Sequence, residues 1–283
     1  IARASAGKDN VAICGYHGWH DWYLSANINN VDGLKEHLLP GLSPLGVPRN
    51  LKDTVFPFKY NNFSELQKII SEHDIGVVKM EVVRSELPKD DFLIKVRKLC
   101  DEKNIVLVFD ECTSGFRESF GGIHLNYKVY PDIAMFGKAL GNGYAITSII
   151  GRGEVMKKSL DSFISSTFWS ERIGYTAGCK TLEVMKKVKS WEYVTKLGRK
   201  IKIEWDRLSK KYELPISING IDALPSFVIN SSKFLHYKTF ISQEMLKKNF
   251  LCTNVVFVST AHNELILKKY IKNLDKIFYT IKE

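Results

Sequence analysis

The stretch IVLVFDECTSGFRESFGGIHLNYKVYPDIAMFGK, residues 105–138, sets the architecture. It contains two short runs rich in β-branched and aromatic residues, IVLVFDE (105–111) and DIAMFGK (132–138). Apolar runs of this length predict buried strands. The first ends on Asp110 and Glu111, the second on Lys138, which the glycine-bearing ALGNGY follows. Taken singly, such endings are ordinary. An acidic residue closing a strand usually caps the next helix or faces water, and a terminal lysine is usually solvated. Taken together, they predict a carboxylate and an amine converging on one ligand from two strand ends.

Outward from this block the same rhythm continues. VAICGY (11–16), IGVVKMEVV (75–83) and ITSIIGR (146–152) also read as buried strands, whereas FSELQKIISEH (63–73) and DFLIKVRKLCDEKN (91–104) carry helical spacing. Strand and helix in alternation predict an α/β fold, with a mostly parallel sheet flanked by helices on both faces. Sheets of this kind bind ligands at the carboxyl ends of their strands. From Thr176 to Tyr212 the pattern turns helical and basic, with Val194, Leu197, Ile201, Trp205 and Leu208 as an apolar stripe. PSFVIN (225–230) and VVFVS (255–259) then read as strands, and FISQEMLKKN (240–249) and ELILKKYIKNLDKIFYTI (264–281) as helices. The expected division is a large domain over 1–188 and a smaller C-terminal α+β domain over 189–283.

Composition narrows the function classes. The 283 residues are 45% hydrophobic and 25% charged, the balance of a globular domain. No apolar run is long enough to cross a bilayer, and the first residues show no signal-peptide pattern. The net charge of +10 raises nucleic acid as a partner. Yet the cations of TKLGRKIKIEWDRLSKK (195–211) fall largely opposite the apolar stripe, as on a solvated helix face, so no nucleic-acid or membrane partner is expected. Such an excess also draws in anionic small molecules. Cys14, Cys100, Cys112, Cys179 and Cys252 are scattered without a CxxC pair, which favours a reducing, cytoplasmic setting over a disulfide framework. His17, His20 and Asp21 in YHGWHDW (16–22) are metal-ligand types, but their spacing is short and no distant partner is evident; no metal is expected. The chain opens on Ile1 without a Met, directly into the helical-looking IARASAGKDN, so upstream sequence is expected.

A carboxylate and a lysine at two strand ends suit pyridoxal 5'-phosphate. The amine can attack the cofactor aldehyde, and the carboxylate keeps the pyridine nitrogen protonated so that the ring accepts electrons. FDECTSGFRESFGGIHLNYKVYPDIAMFGKALGNGY (109–144) resembles the signature of class III pyridoxal-phosphate aminotransferases. Its GFR and FGG segments and the spacing to PDIAMFGK are most similar to glutamate-1-semialdehyde 2,1-aminomutases. YHGWHDW is similar to the family's aromatic-His-Gly segment, SSTFWSERIG (165–174) to its phosphate-binding threonine segment, and MLKKNFLCTNVVFVSTAH (245–262) to its small-domain pattern.

The resemblance implies a fold type I transferase in which Asp110 contacts the pyridine nitrogen and Lys138 forms the Schiff base. It also implies that Tyr16 stacks on the ring, that His17, Gly18, Glu81 and Cys112 complete the cofactor pocket, and that Thr167 binds phosphate across a homodimer interface. Gly137, Gly141 and Gly143 would let the backbone approach the cofactor. The implied activity moves an amino group on a small amino or oxo compound, as a transaminase or an aminomutase; a non-catalytic subunit of the same fold is the alternative. The chain departs from the family pattern at Cys112, usually Val, and at Glu81-Val82-Val83, usually Glu-Pro-Val. It departs again at Arg84-Ser85-Glu86-Leu87-Pro88, usually Gly-rich, and at Glu171-Arg172, usually Asn-Pro. These positions border the substrate side and leave the substrate open. The family's Gly-Ser/Thr phosphate cradle is expected upstream of Ile1.

Overall fold

Strands buried along nearly their whole length organise the first part of the chain. The computed structural model describes residues 1–37, 41–83 and 85–282, so Arg84 lies outside the described residues. Its strands are β1 (Asn10–Cys14), β2 (Val55–Pro57), β3 (Ile75–Glu81), β4 (Val106–Asp110), β5 (Ile133–Phe136) and β6 (Ser148–Gly151). They form one sheet in the order β2-β1-β3-β4-β5-β6, parallel throughout except for the antiparallel β6. This is the mostly parallel α/β sheet that the sequence predicts. Val11, Ile13, Val55, Val77, Val106, Val108 and Ile133 pack on one face, with Ile1, Ala2 and Ala6 of the short helix Ala2–Ala6 against them. Ala12, Val78, Met80, Leu107 and Phe109 are buried on the other face. The helices Phe63–Glu72 and Phe92–Glu102 pack against β1 and β4 respectively, and against each other. Phe63–Glu72 starts where Asn62 accepts the Glu65 N–H at 3.2 Å, satisfying a donor that a helix N-terminus leaves free.

Two strand expectations need correcting here. β2 is absent from the sequence reading because it is three residues long and ends on Pro57, which lacks a ladder donor and suits an edge position. β6 exists but is not buried: Ile149 and Ile150 are 45% and 56% exposed at the sheet's other edge.

The amino ends of β4 and β5 are tied by a buried aspartate. Asp132 Oδ2 accepts the Leu107 N–H at 2.8 Å and Arg97 Nη1 at 2.9 Å, while Oδ1 accepts Arg152 Nη1 at 3.1 Å. Burying a carboxylate is tolerable when its lone pairs and charge are met in this way.

By its internal contacts the chain divides into two compact units. The first comprises Ile1–Arg84, Pro88–Gly115 and Gly121–Leu182; the second comprises Ser85–Leu87, Phe116–Phe120 and Glu183–Glu283. The division falls inside the helix Arg172–Val188. In the second unit, the predicted stripe on the helix Ser190–Tyr212 is buried, and Trp205 is its centre. Its ring meets Phe227 edge-on at 4.8 Å, and its Nε1–H donates to the Tyr270 hydroxyl at 3.0 Å. β7 (Ile216–Asn219) and β8 (Ser226–Ile229) pair antiparallel, and the helices Phe234–Leu246 and Glu264–Lys282 belong to the same unit. The run 255–259 is not a strand. Only Val255 makes a regular bridge, to Ser226, while the Val256 and Val258 N–H groups donate to the Pro225 and Ala223 carbonyls. Residues from the middle of the chain complete this unit. Glu118 Oε1 accepts the Ala223 N–H at 3.0 Å, Phe120 packs on Trp191 at 5.3 Å, and the Ser85 carbonyl accepts the Gly220 N–H at 2.9 Å. No described helix is long and apolar enough to cross a membrane.

Candidate active site

Parallel register brings the chemistry-bearing residues of the first unit to one edge of the sheet. Glu81 pairs with Asp110 across β3 and β4, Asp110 pairs with Met135 across β4 and β5, and Lys138 follows two residues after β5. The chain steps outward from β1 to β2 in one direction and through β3 to β6 in the other. Ligands of open α/β sheets bind at such a switch point, outside the carboxyl ends. Tyr16, His17 and Gly18 leave β1 at that point.

Asp110 is the hub. It is 7% exposed, and its Oδ2 receives His17 Nδ1 at 3.0 Å and Lys79 Nζ at 3.3 Å. Its Oδ1 accepts the Cys112 N–H at 3.2 Å. Burial alone would raise the carboxyl pKa. The His17 hydrogen bond and the Lys79 charge outweigh it and hold Asp110 well below the usual carboxylate range. His17 is pushed downward as well: burial lowers its pKa, and Lys79 adds to that, against the hydrogen bond it makes to Asp110. The imidazole is therefore neutral, with Nδ1–H donating to Asp110. Among the described residues its buried Nε2 has no hydrogen-bond partner, so a second ring proton would go unmet.

Lys138 reaches the same turn from β5. Its Nζ donates to Thr113 Oγ1 at 2.7 Å, and its backbone sits at φ 45°, uncommon for a side-chain-bearing residue. A side-chain carbon placed on the preceding Gly137 would stand 3.4 Å from Cys112 Sγ. The dipeptide Cys112–Thr113 thus tethers both reactive groups, Asp110 through its first N–H and Lys138 through its second side chain. Burial, followed by the Asp110 charge, pushes the Cys112 thiol up to about 12, so it stays protonated and packs as a small apolar group.

Glu81, at the end of β3, is buried and accepts the Tyr16 N–H on Oε2 at 3.1 Å. This approach requires Gly15, at φ 117°, since a Cβ there would lie 2.6 Å from the same carboxylate oxygen. The Tyr16 ring stands edge-on to Trp19 and Tyr23 at 5.5 and 6.0 Å. Gly18 follows His17 with φ 103°. His20 does not join His17 but stacks on Trp22 at 5.8 Å. Glu111, adjacent to Asp110 in sequence, faces away: its Oε1 receives the His124 N–H and Nδ1, at 3.0 and 2.8 Å. Gly141 has a local reason, since a Cβ there would meet the Tyr144 carbonyl oxygen at 2.1 Å. Thr167 opens an exposed turn, Thr167–Ser170, and no described hydrogen bond joins it to the cluster.

The structure therefore brings together Tyr16, His17, Gly18, Glu81, Asp110, Cys112 and Lys138, and leaves Thr167 apart. Sequence reasoning missed Lys79 and Thr113. Lys79 had a legible signal, a lone cation inside an apolar strand; a threonine after Asp-Glu-Cys had none.

Known proteins share the family and the fold. The family model described as Aminotransferase class-III matches residues 12–259. A 3-aminobutyryl-CoA aminotransferase of Cloacimonas acidaminovorans (strain Evry) is 31% identical over 247 residues, which cover 84% of this chain and 56% of that protein. A glutamate-1-semialdehyde 2,1-aminomutase of Sulfurisphaera tokodaii is 28% identical, over 93% of this chain and 66% of the relative. The chain thus spans less than two thirds of the length of these curated relatives. Among solved structures, the FumI protein of Sphingopyxis sp. MTA144 in its PLP internal aldimine form superposes with a TM-score of 0.86 at 21% identity, covering 99% of this chain and 66% of that one. An omega-transaminase from Sphaerobacter thermophilus gives 0.86 at 18% identity, covering 100% and 70%. These likenesses agree on the fold, and the family match spans both the Asp110 and the Lys138 strand ends: the chain belongs to the class III aminotransferases and has their fold type I architecture.

Proposed function

We propose that this protein binds pyridoxal 5'-phosphate and moves an amino group on a small amino or oxo compound, as a transaminase or a glutamate-1-semialdehyde-type aminomutase. The observation that carries the reading is the tethering of Asp110 and Lys138 to one dipeptide, Cys112–Thr113. The donor set fits the cofactor: an ionised buried carboxylate for a protonated ring nitrogen, an exposed amine for an aldehyde, and an aromatic residue, Tyr16, beside them. When bound, the cofactor supplies a ring that accepts electron density from the substrate carbon.

The chain's own residues do the rest. Asp110 holds the ring nitrogen's proton through its carboxylate. Lys138 would hold the cofactor aldehyde through its amine; once a substrate amine takes that place, the freed Nζ would take a proton from the substrate carbon and return it at a second atom. Neutral His17 fixes the Asp110 carboxylate from behind, and Glu81 fixes the backbone of Tyr16. Cys112 and Gly18 line the pocket. The first unit, expected as 1–188, carries the cofactor, and the second, expected as 189–283, is the small domain.

The working form is a homodimer in which Thr167 binds the cofactor phosphate of the partner subunit. The surroundings of Thr167 support this, since Phe163 is 99% exposed and Phe168, Trp169 and Ile173 are all exposed on the same stretch. The scatter of five cysteines along the sequence without a CxxC pair supports a cytoplasmic setting.

The test is an absorption spectrum of the protein with pyridoxal 5'-phosphate, followed by assays with a panel of amino donors and with glutamate 1-semialdehyde. A visible cofactor band that is absent from Lys138→Ala supports the reading. Folded wild-type protein without the band overturns it and leaves the non-catalytic subunit. Mixing Thr167→Ala with Lys138→Ala chains tests the dimer: recovered activity supports a shared site, and none overturns it.

A further inference from the structure

Lys79 is the charged residue of the site to which neither the family signature nor the proposed chemistry gives a role. Every other residue of β3 is buried, and the Lys79 side chain itself is only 12% exposed. An ammonium in such a place is costly unless its charge is met. It is met on two sides: Nζ lies 3.3 Å from Asp110 Oδ2 and 5.4 Å from the centre of the Trp22 ring, within cation–π range. Its stem runs along an apolar cavity of about 240 Å³, beside Trp22, Val77, Val108, Ile133 and Met135. The Arg3 guanidinium lies over the same Trp22 ring at 5.9 Å.

The charge count singles Lys79 out. His17 is neutral, because its buried Nε2 offers no partner for a second proton. Cys112 contributes a backbone N–H and a protonated thiol. Glu81 also faces His17, and Lys138 faces Cys112 from β5. Among the described groups bonded to Asp110, Lys79 is the one ammonium.

We propose that Lys79 is a positioning residue of the active site, the resident counter-charge of Asp110, which sets how strongly that carboxylate holds a protonated pyridine nitrogen. The proposal rests on the pyridoxal-phosphate reading of the site. Two cations sharing one carboxylate repel each other, so Lys79 weakens the hold on a cationic ring nitrogen while keeping Asp110 ionised when the ring is neutral or absent. It thus favours easy loss of the ring proton over the tightest grip on the cofactor.

The experiment compares the full chain with its Lys79→Met and Lys79→Arg variants. Two probes are titrated by tryptophan fluorescence: pyridoxal 5'-phosphate, and its 1-deaza analogue with carbon in place of the ring nitrogen. Lys79→Met is expected to raise the preference for pyridoxal 5'-phosphate over the analogue by about tenfold or more, and Lys79→Arg to leave it near wild type. In cofactor-free protein, the His17 imidazole, followed by NMR of labelled histidine, is expected to titrate at higher pH in Lys79→Met and to be unchanged in Lys79→Arg. If Lys79→Met does not fold, Lys79→Gln carries the same comparison. An unmoved preference, or an unmoved His17 titration, overturns the proposal. Wild-type protein that binds neither probe overturns the cofactor reading instead, and the His17 titration then decides the charge role of Lys79 by itself.

Discussion

Two buried aspartates on neighbouring strands, one at each end of the sheet, divide structure from chemistry. Asp132, before β5, takes two guanidinium groups and a backbone N–H. Asp110, closing β4, takes an imidazole, an ammonium and a backbone N–H. The number of donors is the same and their nature is not. Guanidinium groups keep their charge at every working pH, so the Asp132 end is a fixed clamp. The partners of Asp110 include an imidazole that burial holds neutral, and they stand at the carboxyl ends of the strands. Burial of a carboxylate therefore does not mark a site by itself; a titratable imidazole among its partners and a place at the strand ends do.

This contrast can be broken at either end. The largest effect is expected from Lys138→Ala, which lowers kcat by about 10³-fold or more in whichever amino-transfer assay the wild type supports. Its unfolding free energy should change by less than about 0.5 kcal/mol, because the side chain is exposed. Equal losses of activity and stability would erase the distinction. At the other end, Asp132→Asn leaves Arg97 half-answered in the interior and is expected to cost about 3 kcal/mol in urea unfolding. The folded fraction should keep the wild-type response to pyridoxal 5'-phosphate.

A third effect concerns pH. Folded His17 resists protonation, whereas the unfolded chain takes up that proton near 6.5. The unfolded state then binds more protons, so stability present above pH 6.5 is lost as pH falls below it, by up to about 1.4 kcal/mol per pH unit. His17→Asn should flatten this slope in pH-dependent thermal unfolding; an unchanged slope would place the titration elsewhere. The smallest effect is expected from Arg152→Ala. That guanidinium is 57% exposed and screened by solvent, so its loss costs about 0.5 kcal/mol, clearly less than Arg97→Ala.

The sheet was legible because its central strands are continuous apolar runs, and the site because Asp110 and Lys138 close two of them. What escaped did so for physical reasons. β2 is too short to show a period and carries a proline. VVFVS has strand composition, but its N–H groups spread over Ala223 and Pro225 instead of forming a ladder. In Asp110-Glu111 the sequence shows two acids, and only register and the His124 contact separate the one that meets His17 and Lys79 from the one that braces the loop. Lys79 was passed over because one cation inside an apolar run does not interrupt the reading of a buried strand. Thr113 has no signal at all without Lys138 beside it in space.

The way the chain is shared between its two units has an evolutionary consequence. Residues 85–87 and 116–120 belong with the C-terminal unit although they are encoded among the strands of the other. A single recombination near residue 182 would transplant the last hundred residues without Glu118, Phe120 and Ser85, leaving the Ala223 and Gly220 amides and the Trp191 ring without the partners they have here. Modules wired in this way resist wholesale exchange between genes.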